Sequence, residues 1–155
     1  MKLYRISKRR WATTAFTGHG AAVAGGRWNS PGVPVVYAST TLDLCVLELL
    51  VHVDLSLVPP DLVWFEVDVP DDAILELDAP DGWIDLSSPS AVEAGDAWRR
   101  ARSSVATLVP SALVPISDNA LINPRHGRFG ELVISEPRDL ELDRRLPRRS
   151  SDPPT

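Results

Sequence analysis

The chain has 155 residues, of which 44% are hydrophobic and 24% are charged. This length and balance describe one compact domain and argue against a two-domain protein. The formal net charge of −5 argues against a nucleic-acid-binding protein, because that class normally carries a basic stripe that displaces phosphate counterions.

The first half of the chain predicts two strands, a glycine-rich loop and a buried helix. Residues 2–6 alternate between two faces, which is typical of a strand. Five glycines within residues 17–32 favour an irregular functional loop, and residues 34–39 are β-rich and end in small polar residues that can cap a helix. Residues 42–53 are apolar on nearly all sides, which indicates a largely buried helix, although their β-branched content leaves a strand open.

The second half of the chain predicts four further strands and an amphipathic helix. The strands are expected at residues 62–69, 73–77, 111–116 and 131–135, and the helix at residues 90–104. The last two strands are expected to lie in the core, joined by a polar connection over residues 117–130. Strands and helices do not alternate regularly, so the predicted class is α+β, a single domain with a mixed or antiparallel sheet and flanking helices.

Several kinds of site and segment are excluded by simple counts. Cys45 is the only cysteine, so no intramolecular disulfide forms, and the three histidines have no zinc-binding spacing with it. No run approaches the ~20 apolar residues of a membrane span, and the N-terminus has no apolar signal region, so we expect a cytoplasmic protein. Residues 138–155 are basic and rich in proline and serine, which predicts a domain at residues 1–137 followed by a solvated tail.

Glu48 is the only charged residue between Leu44 and Val51. Burying an unpaired carboxylate costs several kcal/mol, so a glutamate at such a position is normally paired, protonated or directed into a cleft. A structural pair, for example with His52 one helical turn away, is the alternative to a functional role.

Arg27 and Tyr37 are candidates for contacting a ligand. Arg27 follows two glycines, and its planar guanidinium suits phosphate, although a tight turn capped by a surface arginine explains the pattern equally well. The loop lacks the motifs of a P-loop or a Rossmann site, so it does not indicate ATP or dinucleotide binding of those types. Tyr37 ends a predicted strand, where it either stacks on a planar ring or serves as an ordinary strand residue.

Ser117 and Asn123 follow the strand predicted at residues 111–116. Ser117 could donate a hydrogen bond or act as a nucleophile with the nearby His126, yet no G-x-S-x-G elbow surrounds it, which argues against a serine hydrolase. A cap or turn role is the alternative for Ser117 and for Asn119. Asn123 precedes a proline, so its amide either satisfies a turn or binds a ligand.

Four segments together resemble the RES-domain family, whose name abbreviates its Arg, Glu and Ser. They are LYRI at 3–6, GGRWNSPGVPVVYAS at 25–39, the helix with Glu48, and VPSALVPISDNALINPRH at 109–126. The resemblance runs from about Leu3 to Ser135. It implies a fold related to ADP-ribosyltransferases and an activity that consumes NAD. Some members split NAD by hydrolysis or phosphorolysis, and one branch is described as modifying a protein of nucleotide metabolism.

The resemblance also assigns residues to roles. The family arginine falls on Arg27, the tyrosine on Tyr37, the glutamate on Glu48 and the serine on Ser117. We expect Glu48, lying beside Arg27, to stabilise the oxocarbenium-like charge that develops on ribose, while Arg27 holds phosphate or ribose oxygens and Tyr37 packs against nicotinamide. The catalytic candidates are therefore Arg27, Tyr37 and Glu48, and the substrate-binding candidates are Arg5, Arg27, Tyr37, Ser117 and Asn123.

As a member of such a family, the protein is expected to be the toxin of a bacterial toxin–antitoxin pair. Its partner would be an Xre-like helix-turn-helix antitoxin, and the toxin would form a homodimer without direct contacts to nucleic acid or membrane. NAD would be the substrate, with inorganic phosphate as a candidate co-substrate, and no cofactor or metal would be required. Transfer of ADP-ribose to a protein, and a non-catalytic nucleotide- or partner-binding module, are the competing interpretations.

Overall fold

An eight-stranded sheet forms the centre of the molecule in the computed structural model, which describes residues 1–52, 61–143 and 146. The strands are β1 (Lys2–Lys8), β2 (Val36–Ser39), β3 (Leu62–Asp68), β4 (Ile74–Glu76), β5 (Ala106–Pro110), β6 (Asp118–Ile122), β7 (Val133–Ile134) and β8 (Arg138–Asp139). Their spatial order is β4-β5-β6-β2-β1-β3-β7, and β8 also pairs with β3. Among the pairs in this described sheet, β4 and β5 are parallel and the others antiparallel. The predicted α+β class with a mixed sheet is confirmed.

Three α-helices accompany the sheet in the described ranges: α1 (His19–Ala24), α2 (Leu42–His52) and α3 (Ser90–Ala101). The segment with two open interpretations, residues 42–53, is helical as far as His52, and Thr41 Oγ1 accepts a hydrogen bond from Leu44 N at 3.3 Å at its start. The glycine-rich segment was expected to be wholly irregular and instead contains α1, because its run of alanines favours a helical turn between the glycines.

Apolar side chains pack on both faces of the sheet, as the alternation along β6 illustrates. Ala120 and Ile122 join the larger cluster, whose other members come mainly from β1, β2, β3 and β5. Leu121 packs on the opposite face with Trp28 and Trp98, which ties the glycine-rich segment and α3 to the sheet. The candidate site lies on this second face, because Tyr37 also packs against that cluster.

Two predictions in the second half of the chain are wrong. Residues 111–116 form a turn, in which Ser111 N donates to Ser117 O at 2.9 Å and Ile116 is 96% exposed. The expected polar connection over residues 117–130 contains β6, a central strand between β5 and β2. Pro110 and Pro115 flank residues 111–114, and neither has an N–H group to donate to a neighbouring strand. The short ALI run of β6, by contrast, lies in the core because strands pair with it on both sides.

The end of the described chain also differs in detail from expectation. The strand predicted at residues 131–135 is reduced to β7 at the edge of the sheet, and its Val133 is 69% exposed instead of lying in the core. Just beyond the predicted boundary at residue 137, β8 pairs with β3, and Arg138 stacks on Trp64 at 4.8 Å. Residues 144–145 and 147–155, which hold the rest of the predicted tail, lie outside the described residues.

Across residues 1–52, 61–143 and 146, no helix is long and apolar enough to cross a membrane. In the same ranges, no group of three or more histidine, cysteine, aspartate or glutamate side chains is placed to hold a metal ion.

Candidate active site

A cavity of about 610 Å³ opens between the glycine-rich segment, β2, α2 and the turn that follows β5. Its volume lies within the range of about 300–1,000 Å³ typical of small-molecule sites. Four of the predicted site residues line it, namely Arg5, Arg27, Tyr37 and Glu48. The fold therefore brings together side chains that lie far apart in the sequence.

Glu48 projects from α2 into this cavity and is held by two neutral donors. Asn119 Nδ2 donates to Glu48 Oε1 at 2.6 Å, and Ser111 Oγ donates to the same oxygen at 3.2 Å. Among the described residues both hydrogen bonds end on Oε1, so Oε2 is available to a ligand. The proposed pairing with His52 concerns a side chain outside the described residues.

Asn119 is a site residue that the sequence analysis treated as a turn residue. It lies on β6, directly opposite Ser39 of β2, and Ser39 Oγ donates to Asn119 Oδ1 at 2.6 Å. This bond fixes the amide so that its Nδ2 group is directed at Glu48. The signal in the sequence was a polar residue at an inward position of the apolar run in β6, which becomes recognisable only once that strand is identified.

The serine beside the glutamate is Ser111, not Ser117. Ser111 is buried, and its Oγ donates to Glu48 while accepting hydrogen bonds from Leu113 N at 3.1 Å and Val114 N at 3.2 Å. Ser117 lies at the other end of the same turn, donates its backbone N–H to Val114 O, and is not among the residues that line the cavity. The structure therefore does not bring Ser117 to the cavity and places Ser111 beside Glu48 instead. Ser111 was missed because the sequence predicts a strand at 111–116, where the structure has a turn.

Arg27 lies at the cavity but is fastened to the loop before α3. Its Nη1 donates to Trp83 O at 3.2 Å and Ile84 O at 2.9 Å, and the guanidinium carbon is 5.8 Å from the centre of the Trp83 ring. In the described residues Arg27 and Glu48 line the same cavity without forming an ion pair within 4.0 Å. Both hydrogen bonds use Nη1, so the remaining guanidinium donors can reach a ligand.

Arg5 lines the cavity and is held by two backbone carbonyl groups. Its Nε donates to Ala15 O at 2.8 Å and its Nη1 donates to Tyr37 O at 2.6 Å. Burial lowers the pKa of the Arg5 guanidinium from its usual value, yet arginine remains charged in proteins at any physiological pH. Arg5 thus links β1, β2 and the segment before α1, and supplies positive charge to the cavity.

Tyr37 joins the glycine-rich segment to β2 through its hydroxyl. The hydroxyl donates to Asn29 Oδ1 at 2.7 Å and accepts a hydrogen bond from Trp28 N at 3.0 Å. Burial, which disfavours the phenolate, raises the pKa of Tyr37 to about 12. A Cβ atom on Gly26 would lie 2.5 Å from the Tyr37 hydroxyl oxygen, so only glycine allows this close approach.

Asn123 does not line the cavity, so the structure does not bring it together with Arg5, Arg27, Tyr37 and Glu48. Its side chain is fully buried, and Oδ1 accepts a hydrogen bond from Arg125 N at 3.0 Å. The amide oxygen therefore serves a turn, whereas Nδ2 has no hydrogen-bond partner among the described residues. His126, in the same turn, bonds to Arg102 O and Arg128 N, and neither contact forms a catalytic triad with Ser117.

A second cavity of about 300 Å³ continues beneath α2. It shares Arg5, Tyr37, Glu48 and Asn119 with the larger cavity. Cys45 also lines it, with its Sγ at 3.0 Å from Tyr4 O, and burial raises the pKa of this thiol. Glu48 thus lines both cavities.

The sequence of this chain is similar to a known family and to several known proteins. The RES domain family model matches residues 2–144. A protein named Toxin Res from Yersinia enterocolitica is 37% identical over 151 residues, covering 94% of this chain and 99% of the relative. A Toxin Res from Photorhabdus laumondii is 35% identical, covering 94% and 97%. A Sphingobium protein named Prs ADP-ribosylating toxin is 33% identical over 125 residues, covering 76% and 78%.

Proposed function

Because this chain belongs to the RES domain family, we propose that it is a toxin that consumes NAD by cleaving the bond between nicotinamide and ribose. The observation that carries the proposal is Glu48, which lines both cavities and whose carboxylate is oriented by neutral donors. Cleavage of this bond builds oxocarbenium-like positive charge on the sugar, as in glycoside hydrolysis. A fixed carboxylate beside the sugar stabilises that charge.

The other residues of the cavity have roles that follow from their chemistry. Glu48 Oε2 accepts a hydrogen bond from a ribose hydroxyl and faces the developing charge. The unused guanidinium donors of Arg27 hold phosphate oxygens, for which a planar fork is well suited. Tyr37 presents an aromatic surface against which the nicotinamide ring packs. Ser111 orients Glu48, which differs from the substrate-binding role expected for Ser117.

Two acceptors for the ADP-ribosyl group compete. Water or inorganic phosphate would make the protein an NAD hydrolase or phosphorylase, whereas a protein side chain would make it an ADP-ribosyltransferase. The second alternative is favoured by one observation, the 33% identity to a relative named as a Prs ADP-ribosylating toxin. No cofactor takes part in either reaction, because NAD itself is the substrate.

We further propose that an Xre-like helix-turn-helix antitoxin covers the cavity, and that the toxin forms a homodimer in the complex. Apolar side chains at the cavity edge support a protein cover, since Val51, Leu86 and Leu113 all line the cavity and are exposed. Co-expression with such an antitoxin should give a complex of stable stoichiometry that binds NAD at least tenfold more weakly than the free toxin does. Equal NAD affinity would contradict the covered cavity.

The reaction is tested by a time course of purified protein with NAD, with and without inorganic phosphate, in which nicotinamide and ADP-ribose products are resolved. Nicotinamide with free ADP-ribose indicates hydrolysis, and a phosphate-dependent product indicates phosphorolysis. Consumption of NAD only after addition of cell extract indicates transfer to a macromolecule. If NAD binds but stays intact under every condition, the chain is a binding module and the proposal is wrong.

A further inference from the structure

Three arginines lie together at the C-terminal end of α3, and none of them lines the cavity of Glu48. We call Arg99, Arg102 and Arg125 the arginine cluster. Arg125 reaches this place because His126 Nε2 donates to Arg102 O at 3.0 Å, while His126 Nδ1 accepts a hydrogen bond from Arg128 N at 3.1 Å. The His126–Arg102 contact thereby holds the turn that carries Arg125 against the end of α3 that carries Arg99 and Arg102.

Arg99 is the buried member of the arginine cluster, with 9% of its surface exposed. Its Nε donates to Pro34 O at the long distance of 3.4 Å, and the described part of the chain supplies no acceptor for its Nη1 and Nη2 groups. Burial and the two neighbouring cations, Arg102 and Arg125, lower the pKa of the Arg99 guanidinium. The Nη groups of Arg99 are not among the buried, unpartnered atoms of the described residues, so they reach the surface, where the neighbouring charges have the same sign.

The contrast with Arg128 shows that the fold does supply carboxylates where an arginine is to be neutralised. Arg128 lies three residues after Arg125 and binds both Asp72, at 3.0 Å, and Glu131, at 2.8 Å. Within residues 1–52, 61–143 and 146, no carboxylate lies within 4.0 Å of the arginine cluster. Asp96, the acidic residue of α3 nearest in sequence, is bound to Ser30 at 2.6 Å.

Arg102 also has an unfavourable backbone conformation. Its φ is +50°, and it is the non-glycine residue with positive φ among those described. This position caps α3, where glycine is the residue normally preferred. Attraction of cations to the end of a helix accounts for the exposed Arg100, but it explains neither the burial of Arg99 nor the arrival of Arg125 from another segment.

From these contacts we propose that the arginine cluster is a second binding site, which takes a phosphate group of a small molecule. Guanidinium groups bind the oxygens of phosphate through paired hydrogen bonds, and three of them outweigh the negative end of the α3 dipole. A buried donor in the same turn, Asn123 Nδ2, has no hydrogen-bond partner in the described part of the chain. The site is independent of the reaction proposed for the Glu48 cavity.

The test is calorimetric titration of the full chain with inorganic pyrophosphate at low ionic strength in chloride buffer. Wild type and Arg100→Gln should bind with the same affinity, whereas Arg102→Gly and Arg125→Gln should bind at least about tenfold more weakly. Arg102→Gly removes the guanidinium while placing glycine at a positive φ, so its melting temperature should not fall. Lost binding in this variant therefore cannot be attributed to unfolding.

Three results of this titration would overturn the proposal. They are the absence of saturable binding to wild type, equal affinity in all four proteins, and loss of binding in Arg27→Gln but not in Arg102→Gly. The last result would place the ion in the Glu48 cavity. A single-stranded oligonucleotide serves as a second probe. If it bound more tightly than pyrophosphate and its binding depended on Arg102, the ligand of the arginine cluster would be a nucleic acid, which would also contradict the proposal.

Discussion

Glu48 is held by neutral partners, and this distinguishes it from a carboxylate in a structural ion pair. An arginine in place of Asn119 and Ser111 would neutralise the charge as well as orient it. Amide and hydroxyl donors orient the carboxylate but leave its negative charge available to a cation in the cavity. The same contacts explain why an acidic residue is tolerated within the apolar sequence of α2.

Asn119 should act as a positioning residue for Glu48. In Asn119→Ala we expect kcat for NAD cleavage to fall about tenfold or more, with a smaller change in KM, because a charge-assisted hydrogen bond to Glu48 is lost. Ser39→Ala, which removes only the bond that orients the amide, should have a weaker effect in the same direction. An Asn119→Ala protein with unchanged kcat, or with a change confined to KM, would show that the bond is merely structural.

The Tyr37 hydroxyl should remain protonated far above neutral pH. A tyrosine in an unfolded chain titrates near 10, and the pKa of Tyr37 is raised to about 12 in the fold. Its stabilising contribution is therefore complete below pH 10 and is lost as the pH rises through 12.

This behaviour is measured by tyrosinate absorbance during an alkaline titration. The difference between wild type and Tyr37→Phe isolates one of the two tyrosines, and its midpoint should lie near 12. Because the hydroxyl holds Asn29 and Trp28, Tyr37→Phe should also weaken NAD binding. A midpoint near 10 would mean that the hydroxyl is exposed to water and does not fasten the glycine-rich segment.

At the scale of elements, α3 positions the cavity wall through its contact with the chain at Trp28. A Cβ atom on Gly95 would lie 1.9 Å from Trp28 O, so the helix and the loop approach as closely as glycine permits. In Gly95→Ala we expect a loss of stability of about 2–3 kcal/mol from overpacking, together with weaker NAD binding because Arg27 is adjacent in sequence. Thermal denaturation and NAD titration measure the two effects.

Gly127→Ala is the matched control for this helix contact. A Cβ atom there would meet nothing within 4 Å, so neither stability nor NAD affinity should change appreciably. If Gly95→Ala were as stable as Gly127→Ala, the close contact between α3 and the loop would be refuted.

Local sequence patterns predicted the elements that carry a strong pattern of their own. The alternation in β1 and β3, the apolar run of α2 and the amphipathic pattern of α3 are enough to predict these elements, and the structure contains them. For residues 111–116 the sequence predicts a strand and the structure has a turn, whereas for residues 118–122 it predicts a connection and the structure has a strand. Each segment is short and apolar, so its distant partners decide which structure it forms. β6 is a strand since β5 and β2 pair with it on both sides.

At the scale of the molecule, the site is assembled from contacts between distant parts of the chain. Glu48 lies 63 residues from Ser111 and 71 from Asn119. Arg5, Arg27, Tyr37 and Glu48 were found because each is conspicuous in its own segment or in the family resemblance. Ser111 and Asn119 were missed because their role depends on the register of β6 against β2 and on the turn after β5.

The net charge of the molecule does not show how its charged residues are distributed. The net charge of −5 argued against binding of nucleic acid, yet the arginine cluster concentrates positive charge at one end of α3. A net charge describes solubility and long-range steering, whereas a binding site is defined by which charges lack partners nearby. In the part of the chain that the structure describes, Arg99, Arg102 and Arg125 have no carboxylate partner within 4.0 Å.

The central claim is that Glu48 acts on the reacting bond of NAD and not only on the fold. The most direct measurement compares wild type, Glu48→Gln and the exposed control Glu93→Gln in two assays, the Kd for NAD and the rate of nicotinamide release. We expect a Kd within a few-fold of wild type for both variants, and a loss of at least about 100-fold in release rate for Glu48→Gln alone. Full nicotinamide release by a folded Glu48→Gln protein would contradict it.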